Sequence, residues 1–529
     1  FHRNTMINEE GGIDPNEYRF YALVDRVATT GTVWMGLTTG CAQCHTHKYD
    51  PITHTDYYSL FALLNNADEP DLVVPDTRRQ IRRLEIESEI AAEVSRLADQ
   101  FLPEKLSDTD PIHQAFDRWL QMQLSQSRHW QSLQPTKMTS TLPKLTLLDD
   151  DSILASGDVT KREVYRLSLD VNRSDDAATA LKLEVLPHTS LPDGGPGMAF
   201  YEGRRGDFFL SELNVKFNGQ PVELKDASHS FGKISVGSGS ADASNVIDSD
   251  GSTGWSTSGQ EGKANRLVVN FAEPLSGAGE LELELLFERH YAAALGRFRI
   301  SLTRGRSPAV AMSLPQHLEQ RLDQHVVAKG DTIVNGDLST ELRQQFVRVA
   351  AEMKGHRGTI EQLEAELPAT VRSLAMRQRL SEDHRETHRH HRGEYLQPRE
   401  VVEPAVPAAF PPFEDGEPAD RLALARWLVS EKNPLVGRVT ANRAWREFFG
   451  TGIVRTAGDF GTQSEPPSHP ELLDWLAEEL RTNGWSMKRL HRQIVLSATY
   501  RQDSVNPAVA AEEDPENVYL SRKARRRLS

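Results

Sequence analysis

"ELELELLF", residues 280–287, alternates a carboxylate with an apolar side chain over six positions and closes on two apolar residues. Successive side chains leave a β-strand on opposite sides, so this period of two is the pattern of a strand with one face buried and the other in water. The same period recurs nearby. Tyr165, Leu167, Leu169 and Val171 alternate with polar residues, as do Leu181, Leu183 and Val185, and Leu213, Val215 and Phe217. The last run leads into Asn218-Gly219, a dipeptide that accepts the positive φ values of a two-residue hairpin turn. With "RLVVNF" (266–271) and "RFRISLT" (297–303), the stretch 131–306 carries seven or more strands and predicts an antiparallel β-sandwich.

On both sides of that stretch the period becomes helical. Phe20, Leu23, Val24 and Val27 fall at i, i+3, i+4, i+7, and "TDYYSLFALLNNADEP" reads as a helix capped by Thr55 or Asp56 and ended before Pro70. Ile90, Val94, Leu97 and Phe101 repeat at helical spacing amid dense charge, and Leu342, Phe346, Val349, Met353, Ile360, Leu363 and Leu367 continue the pattern beyond the strands. A proline-rich strap follows, then helical segments from about Arg421. The expected architecture is multidomain α+β: a helical region at 1–75, a charged helical connector at 76–130, the sandwich at 131–306, a helical region with its strap at 307–400, and a helical region at 401–529. No internal repeat is visible. The chain begins on Phe1 in what reads as the middle of a folded unit, and it reads as a fragment cut at both ends.

Composition limits the partners. Of 529 residues, 38% are hydrophobic and 26% charged, the balance of a soluble globular chain. A net charge of −15 argues against nucleic acid, whose phosphates select basic surfaces. No run of eighteen apolar residues exists, so no membrane-spanning segment is expected.

The chain spends both of its cysteines in "GCAQCHTHKYDP", residues 40–51. Cys41, Cys44 and His45 fit C-x-x-C-H, in which two thiols bond the porphyrin edge and the histidine supplies the iron's proximal nitrogen. Three alternatives stand beside haem: a Cys₂His₂ zinc site completed by His45 and His47 or by His47 and His54, a dithiol or disulfide, and a pair without chemistry. No thioredoxin-like βαβ pattern surrounds the motif. There is no G-x-S-x-G, P-loop, G-x-G-x-x-G or H-E-x-x-H, which removes common hydrolase, nucleotide and zinc-protease readings.

"FHRNTMINEEGGIDPNEYRF" (1–20), residues 23–53 around the cysteines, and "DYYSLFALLNN" (56–66) resemble planctomycete secreted proteins associated with cytochrome c. So do residues 433–477, "NPLVGRVTANRAWREFFG…LLDWLA", and 484–504, "GWSMKRLHRQIVLSATYRQDS". Such proteins pair two domains of uncharacterised function, often behind a cytochrome c domain and a signal peptide. The resemblance implies an extracytoplasmic protein with covalent haem c and a role in electron transfer; it carries no established reaction. For the sixth iron ligand the sequence offers His2 and Met6. His47 would have to double back, Met35 reads as core, His54 sits where the family more often has another polar residue, and His384, His388, His390 and His391 would reach in from afar.

"NVIDSDGSTGWSTSG" (245–259) resembles galactose-binding-like, discoidin-type jelly rolls, which implies calcium at Asp248 and Asp250 or a glycan against Tyr201 and Trp255. Asp and Ser also cap tight turns without metal. Near the C-terminal end, Asn442, Arg443, Trp445, His469, Glu471 and His491 are the polar residues of interest; Ser468 and Glu471 fit a capping box, and Arg443 fits a buried guanidinium on backbone carbonyls. The expected function is extracytoplasmic redox chemistry at a c-type haem with an unidentified redox partner, linked to polysaccharide breakdown. Two alternatives are a non-redox glycan- or surface-binding scaffold stabilised by zinc or calcium, and a haem-dependent oxidising enzyme.

Overall fold

The computed structural model describes residues 1–4, 10, 12–103, 110–237, 239–329, 334–414, 416–505 and 512–525. The alternating segments form two antiparallel sheets. One orders Gln220–Pro221, Glu212–Phe217, Gly279–Glu288, Arg162–Val171 and Pro135–Thr139. The other orders Leu224–His229, Asn265–Leu275, Ala178–Val185, Arg297–Arg304, Ile153–Ser156 and Lys144–Leu147, with Trp130–Ser132 paired onto Arg297–Arg304. Register sets the core. Leu281, Leu283 and Leu285 stand opposite Leu169, Leu167 and Tyr165, so the apolar sets of both strands share one face. They pack with Leu181, Leu267, Phe298 and Ile300 of the other sheet. Between Phe217 and Gln220, Asn218 and Gly219 take φ 50° and 75°, the left-handed pair that the hairpin requires.

The second sheet is covered on its other face as well. Every residue of Ala178–Val185 is buried. Lys182 Nζ meets Glu319 Oε1 at 3.0 Å and Arg266 Nε meets Glu319 Oε2 at 2.5 Å. Glu319 belongs to the helix Gln316–Lys329, which lies over this face. Charges taken from water persist only when paired in this way. The helix Thr77–Phe101 buries Ile86, Ile90, Val94 and Leu97 against Phe346, Val347 and Met353. The helical pattern from Leu342 to Leu367 is three pieces, Asp337–Val349, the tighter turn Ala351–His356 and Gly358–Ala365, and Val349 is exposed at the first break.

Two compact units result: Phe1–Ile7, Glu17–Glu69 and Met376–Ser529 form one, Asn8–Asn16 and Pro70–Ala375 the other. The first joins stretches that the sequence presents as separate regions. Ala67–Asp68 pairs with Arg377–Gln378, and Asn65 Nδ2 donates to Thr387 Oγ1 at 2.9 Å. Its helix Pro15–Thr30 buries Phe20, Leu23 and Val27 against the helix His54–Asn65 and against Val402, Val406 and Trp427. The cap of His54–Asn65 is Thr53, not Thr55 or Asp56. Thr53 Oγ1 accepts the Asp56 N–H while Asp56 Oδ2 accepts that of Thr53, a reciprocal box that starts two to three residues earlier than expected. A second core holds Trp445, Phe449, Leu473, Leu476, Leu490 and Ile494. The helix Pro470–Thr482 starts from His469 without a side-chain cap, with Pro470, which has no N–H to satisfy, in its first turn; Ser468 bonds the Ile453 carbonyl. Among the described residues no helix is long and apolar enough to cross a membrane.

Candidate functional site

After the helix Pro15–Thr30 the backbone makes a wide turn, Gly31–Met35, and a tight one, Thr39–Gln43. Gly36 separates them at φ 61°, where a Cβ would lie 2.9 Å from Val439 and 3.0 Å from Phe460; only glycine fits. Its carbonyl accepts the Phe460 N–H at 2.6 Å. Thr39 Oγ1 ties the tight turn back to the Val27 carbonyl at 3.2 Å. Met35 is core, 1% exposed. These contacts present Cys41 and Cys44 to the exterior, both exposed and not joined to each other by a disulfide.

The three imidazoles that follow differ in what their ring nitrogens are doing. His47 is buried; its Nδ1 accepts the N–H groups of Asp50 at 2.8 Å and Tyr49 at 3.3 Å, so the proton is on Nε2 and faces Thr38 Oγ1 at 3.1 Å. His54 donates Nε2–H to the Gln43 carbonyl at 2.8 Å and accepts from Arg389 Nη1 on Nδ1 at 3.1 Å. His45 is exposed and donates only Nδ1–H, to the Thr46 carbonyl at 2.7 Å. Its Nε2 lone pair has no hydrogen-bond partner among the described residues. A Cys₂His₂ zinc site would have to release His47 or His54 from these bonds, and among the described residues no three His, Cys, Asp or Glu side chains are grouped to hold a metal. The donor set fits haem c better. Two outward thiols flank a turn, and a third outward group carries a free nitrogen whose ring is oriented through the other one, the usual arrangement of a ligating histidine.

The turn is pinned from both sides. The Gln43 carbonyl, one residue before Cys44, accepts from His54 and from Tyr58 Oη at 3.2 Å. Behind His54 stands Arg389, held by Glu400 through two bonds of 2.6 and 2.9 Å, and that pairing draws the Glu400 carboxyl down to about 2. Burial and then the Arg389 charge hold His54 below its ordinary value. On the other side Asp50 Oδ1 accepts the Thr462 N–H at 2.7 Å.

The histidine-rich stretch is a hairpin, His388–His390 with Pro398–Val401, seated at this motif. A Cβ on Gly393 would lie 3.2 Å from Cys44 Sγ, and the Gly393 carbonyl accepts from Gln43 Nε2 at 3.5 Å. His390 is buried among Phe20, Tyr58 and Tyr395 and donates to the Glu394 carbonyl. His388 bonds the Arg399 carbonyl. His2 places Nε2 on Thr30 Oγ1 at 2.9 Å, and burial with the Arg26 charge pushes it down to about 4. Met6 lies outside the described residues.

In the sandwich, Asp248 and Asp250 serve their own turn: Asp248 accepts from the Asp250 N–H and Thr253 Oγ1, and Asp250 from the Ser252 N–H and Oγ. Burial and the Asp248 carboxylate push Glu212 up to about 7. Neither aromatic expected to stack on a sugar can do so. Trp255 is 0% and Tyr201 4% exposed, both inside the apolar core, and Trp255 Nε1 bonds the Phe231 carbonyl. Near the C-terminal end Asn442 is wholly buried and closes both bonds on Val454, and Arg443 bonds the carbonyls of Thr32, Val33 and Ala457. His491 lies edge-on to Phe448. Trp445 stacks on Phe449 inside the apolar core.

Residues 1–69 match a family model described as PSCyt2, protein of unknown function (DUF1549). Residues 420–529 match one described as PSD1, protein of unknown function (DUF1553). The chain therefore carries two domains of unknown function, one at each end. No curated protein and no solved structure matches it. The matched stretches are the two that the Asp50–Thr462, Gly36–Phe460 and Arg443–Thr32 bonds join, so apart from Asn8–Asn16 a single unit contains both, and the cysteine turn lies in it. The sequence reading missed Asp50, Arg389, Glu400 and Gly393. For Asp50 the spacing His47-x-x-Asp50-Pro51 was a usable turn signal; for the others no local signal exists.

Proposed function

We propose that this chain is a c-type haem protein of the secreted, cytochrome-c-associated planctomycete kind, working in electron transfer outside the cytoplasm. Cys41 and Cys44 would hold the porphyrin by thioether bonds, and His45 would give Nε2 to the iron. The observation that carries this reading is the contrast among the three imidazoles: only His45 keeps an open nitrogen, and it stands exposed beside two exposed, unbonded thiols. A bound haem supplies one-electron chemistry at its iron. The protein's part is to hold the turn, through Gln43, Tyr58 and His54, and to fix the His45 tautomer through Thr46.

In the same proposal the sandwich docks a glycan or cell surface by a face that does not use the buried Tyr201 and Trp255, which links the redox step to polysaccharide breakdown. Calcium at Asp248 and Asp250 would first have to displace the bonds that these carboxylates make within their own turn. The test of the haem reading is intact mass under denaturing conditions, on protein made with c-type maturation machinery. One haem is expected to stay on the chain. An unmodified mass, with zinc found by elemental analysis, contradicts the proposal.

A further inference from the structure

The turn that touches Cys44 also carries a histidine with nothing to do. His391 opens a tight turn, His391–Gly393, in which Arg392 and Gly393 have φ 52° and 77°. Its main chain is closed on both sides: the His391 N–H donates to the Gln397 carbonyl at 3.0 Å, and its carbonyl accepts the Glu394 N–H at 3.1 Å. The hairpin beneath is fixed by the Arg389–Glu400 pair and, through Arg389, by His54. The position of His391 is therefore set by bonded backbone, while its ring is exposed and has no hydrogen-bond partner among the described residues.

Its neighbours are committed elsewhere. His390 is buried in the aromatic cluster and His388 bonds the Arg399 carbonyl. His384 is also exposed but lies nine positions before Gly393 in the sequence. From Gly393, which abuts Cys44, to His391 is two residues, a span of at most about 7 Å even when fully extended. The His391 imidazole is thus within reach of a group bonded to the Cys44 sulfur. Gly393 lies so close to that sulfur that a Cβ on it would stand 3.2 Å away, so the strap and the Cys44 side chain are direct neighbours.

We infer that His391 supplies the second axial nitrogen to an iron held by His45. This rests on the haem reading above. The assignment changes what the centre does: two imidazoles saturate the iron and suit an electron carrier, whereas an open position suits peroxide or substrate chemistry. It also ties iron ligation to the strap, since one hairpin carries both His391 and the Gly393 contact.

The experiment uses the whole chain matured with covalent haem, compared with His391→Ala, His391→Met and the control His384→Ala. Thioether-bound haem is first verified by pyridine haemochrome in every sample, and folding by circular dichroism. The ferric parent and His384→Ala are expected to be low-spin by absorption and electron paramagnetic resonance. His391→Ala is expected to become high-spin and to return to low-spin on adding free imidazole, and His391→Met to raise the midpoint potential. A parent that is already high-spin, or a low-spin His391→Ala, overturns the His391 assignment and leaves the haem reading standing. Absence of covalent haem from the parent defeats the haem reading itself, and this inference with it.

Discussion

Asp50 and Thr462 are bonded across 412 positions of sequence: Asp50 Oδ1 accepts the Thr462 main-chain N–H at 2.7 Å and its hydroxyl at 3.1 Å. The same aspartate donates its own N–H to His47 Nδ1. One side chain therefore anchors the loop after Cys44 to the opposite end of the chain. Asp50→Ala removes a charged acceptor, and hydrogen bonds to charged groups contribute about 1.5–3 kcal/mol. A loss at the lower end of that range is expected from denaturant midpoints, because Thr462 itself is exposed. Gly461→Ala should act in the same direction, since its Cβ would collide with the Asp50 carboxylate. Unchanged midpoints in both variants would show that the bond is not what holds the loop.

His54 predicts a pH response. It is neutral in the fold because its Nδ1 accepts from Arg389, and burial lowers it from the ordinary 6.5. A depressed histidine contributes stability that is full above 6.5 and is lost as the pH falls through the lower, folded value. Protonation would set a cation against Arg389 and free the hairpin at His388–Val401. After correction for intrinsic rates, hydrogen exchange in that hairpin should rise on acidification in the parent. In His54→Gln the rise should be absent. An identical pH profile in both would remove His54 from this role.

The helix Gln316–Lys329 is held over the sandwich by charge. Glu319→Gln leaves Lys182 and Arg266 buried without their counter-charge, and breaking such a pair costs about 3–5 kcal/mol. The expected result is a large drop in the thermal midpoint. A change within the range of ordinary surface substitutions would mean that the helix docks by its apolar residues alone.

Asp323 on the same helix gives the opposite pH sign to His54. It accepts from Ser127 Oγ, and burial, with the Glu319 charge adding, pushes it up to about 7. A carboxyl raised in the fold favours folding at low pH, and that contribution is lost as the pH rises from about 4 through 7. Asp323→Asn should gain thermal stability relative to the parent over that window, with the full difference present above it. A difference that does not vary with pH would contradict the assignment.

The sandwich was legible in the sequence because alternation survives in strands that keep one face in water, as in Gly279–Glu288. The strand Ala178–Val185 shows the limit. Lys182 and Glu184 read as solvent-facing, yet both are buried, Lys182 by Glu319 and Glu184 by Arg299 at 2.9 Å. Spacing records chemical type, and an ion pair can take either type out of water. The site divides in the same way. Cys41, Cys44 and His45 are adjacent in sequence and could be read directly. The roles of His54, Gln43 and Gly393 depend on contacts more than 300 positions away, such as Arg389 on His54 and Gly393 on Gln43, which no local pattern encodes. The sugar-stacking expectation at Tyr201 and Trp255 failed for a related reason, since an aromatic beside an Asp-rich turn looks the same in sequence whether it faces out or in.

The central claim is a haem covalently bound at the cysteine turn. The most direct measurement is a pyridine haemochrome spectrum of the parent made in the periplasm with c-type maturation machinery, beside Cys44→Ala. The account predicts an α-band at the position typical of two thioether bonds in the parent, shifted or lost in Cys44→Ala. A parent with no haem band, or one whose haem is removed by acid solvent extraction as readily as in the double variant Cys41→Ala, Cys44→Ala, contradicts it.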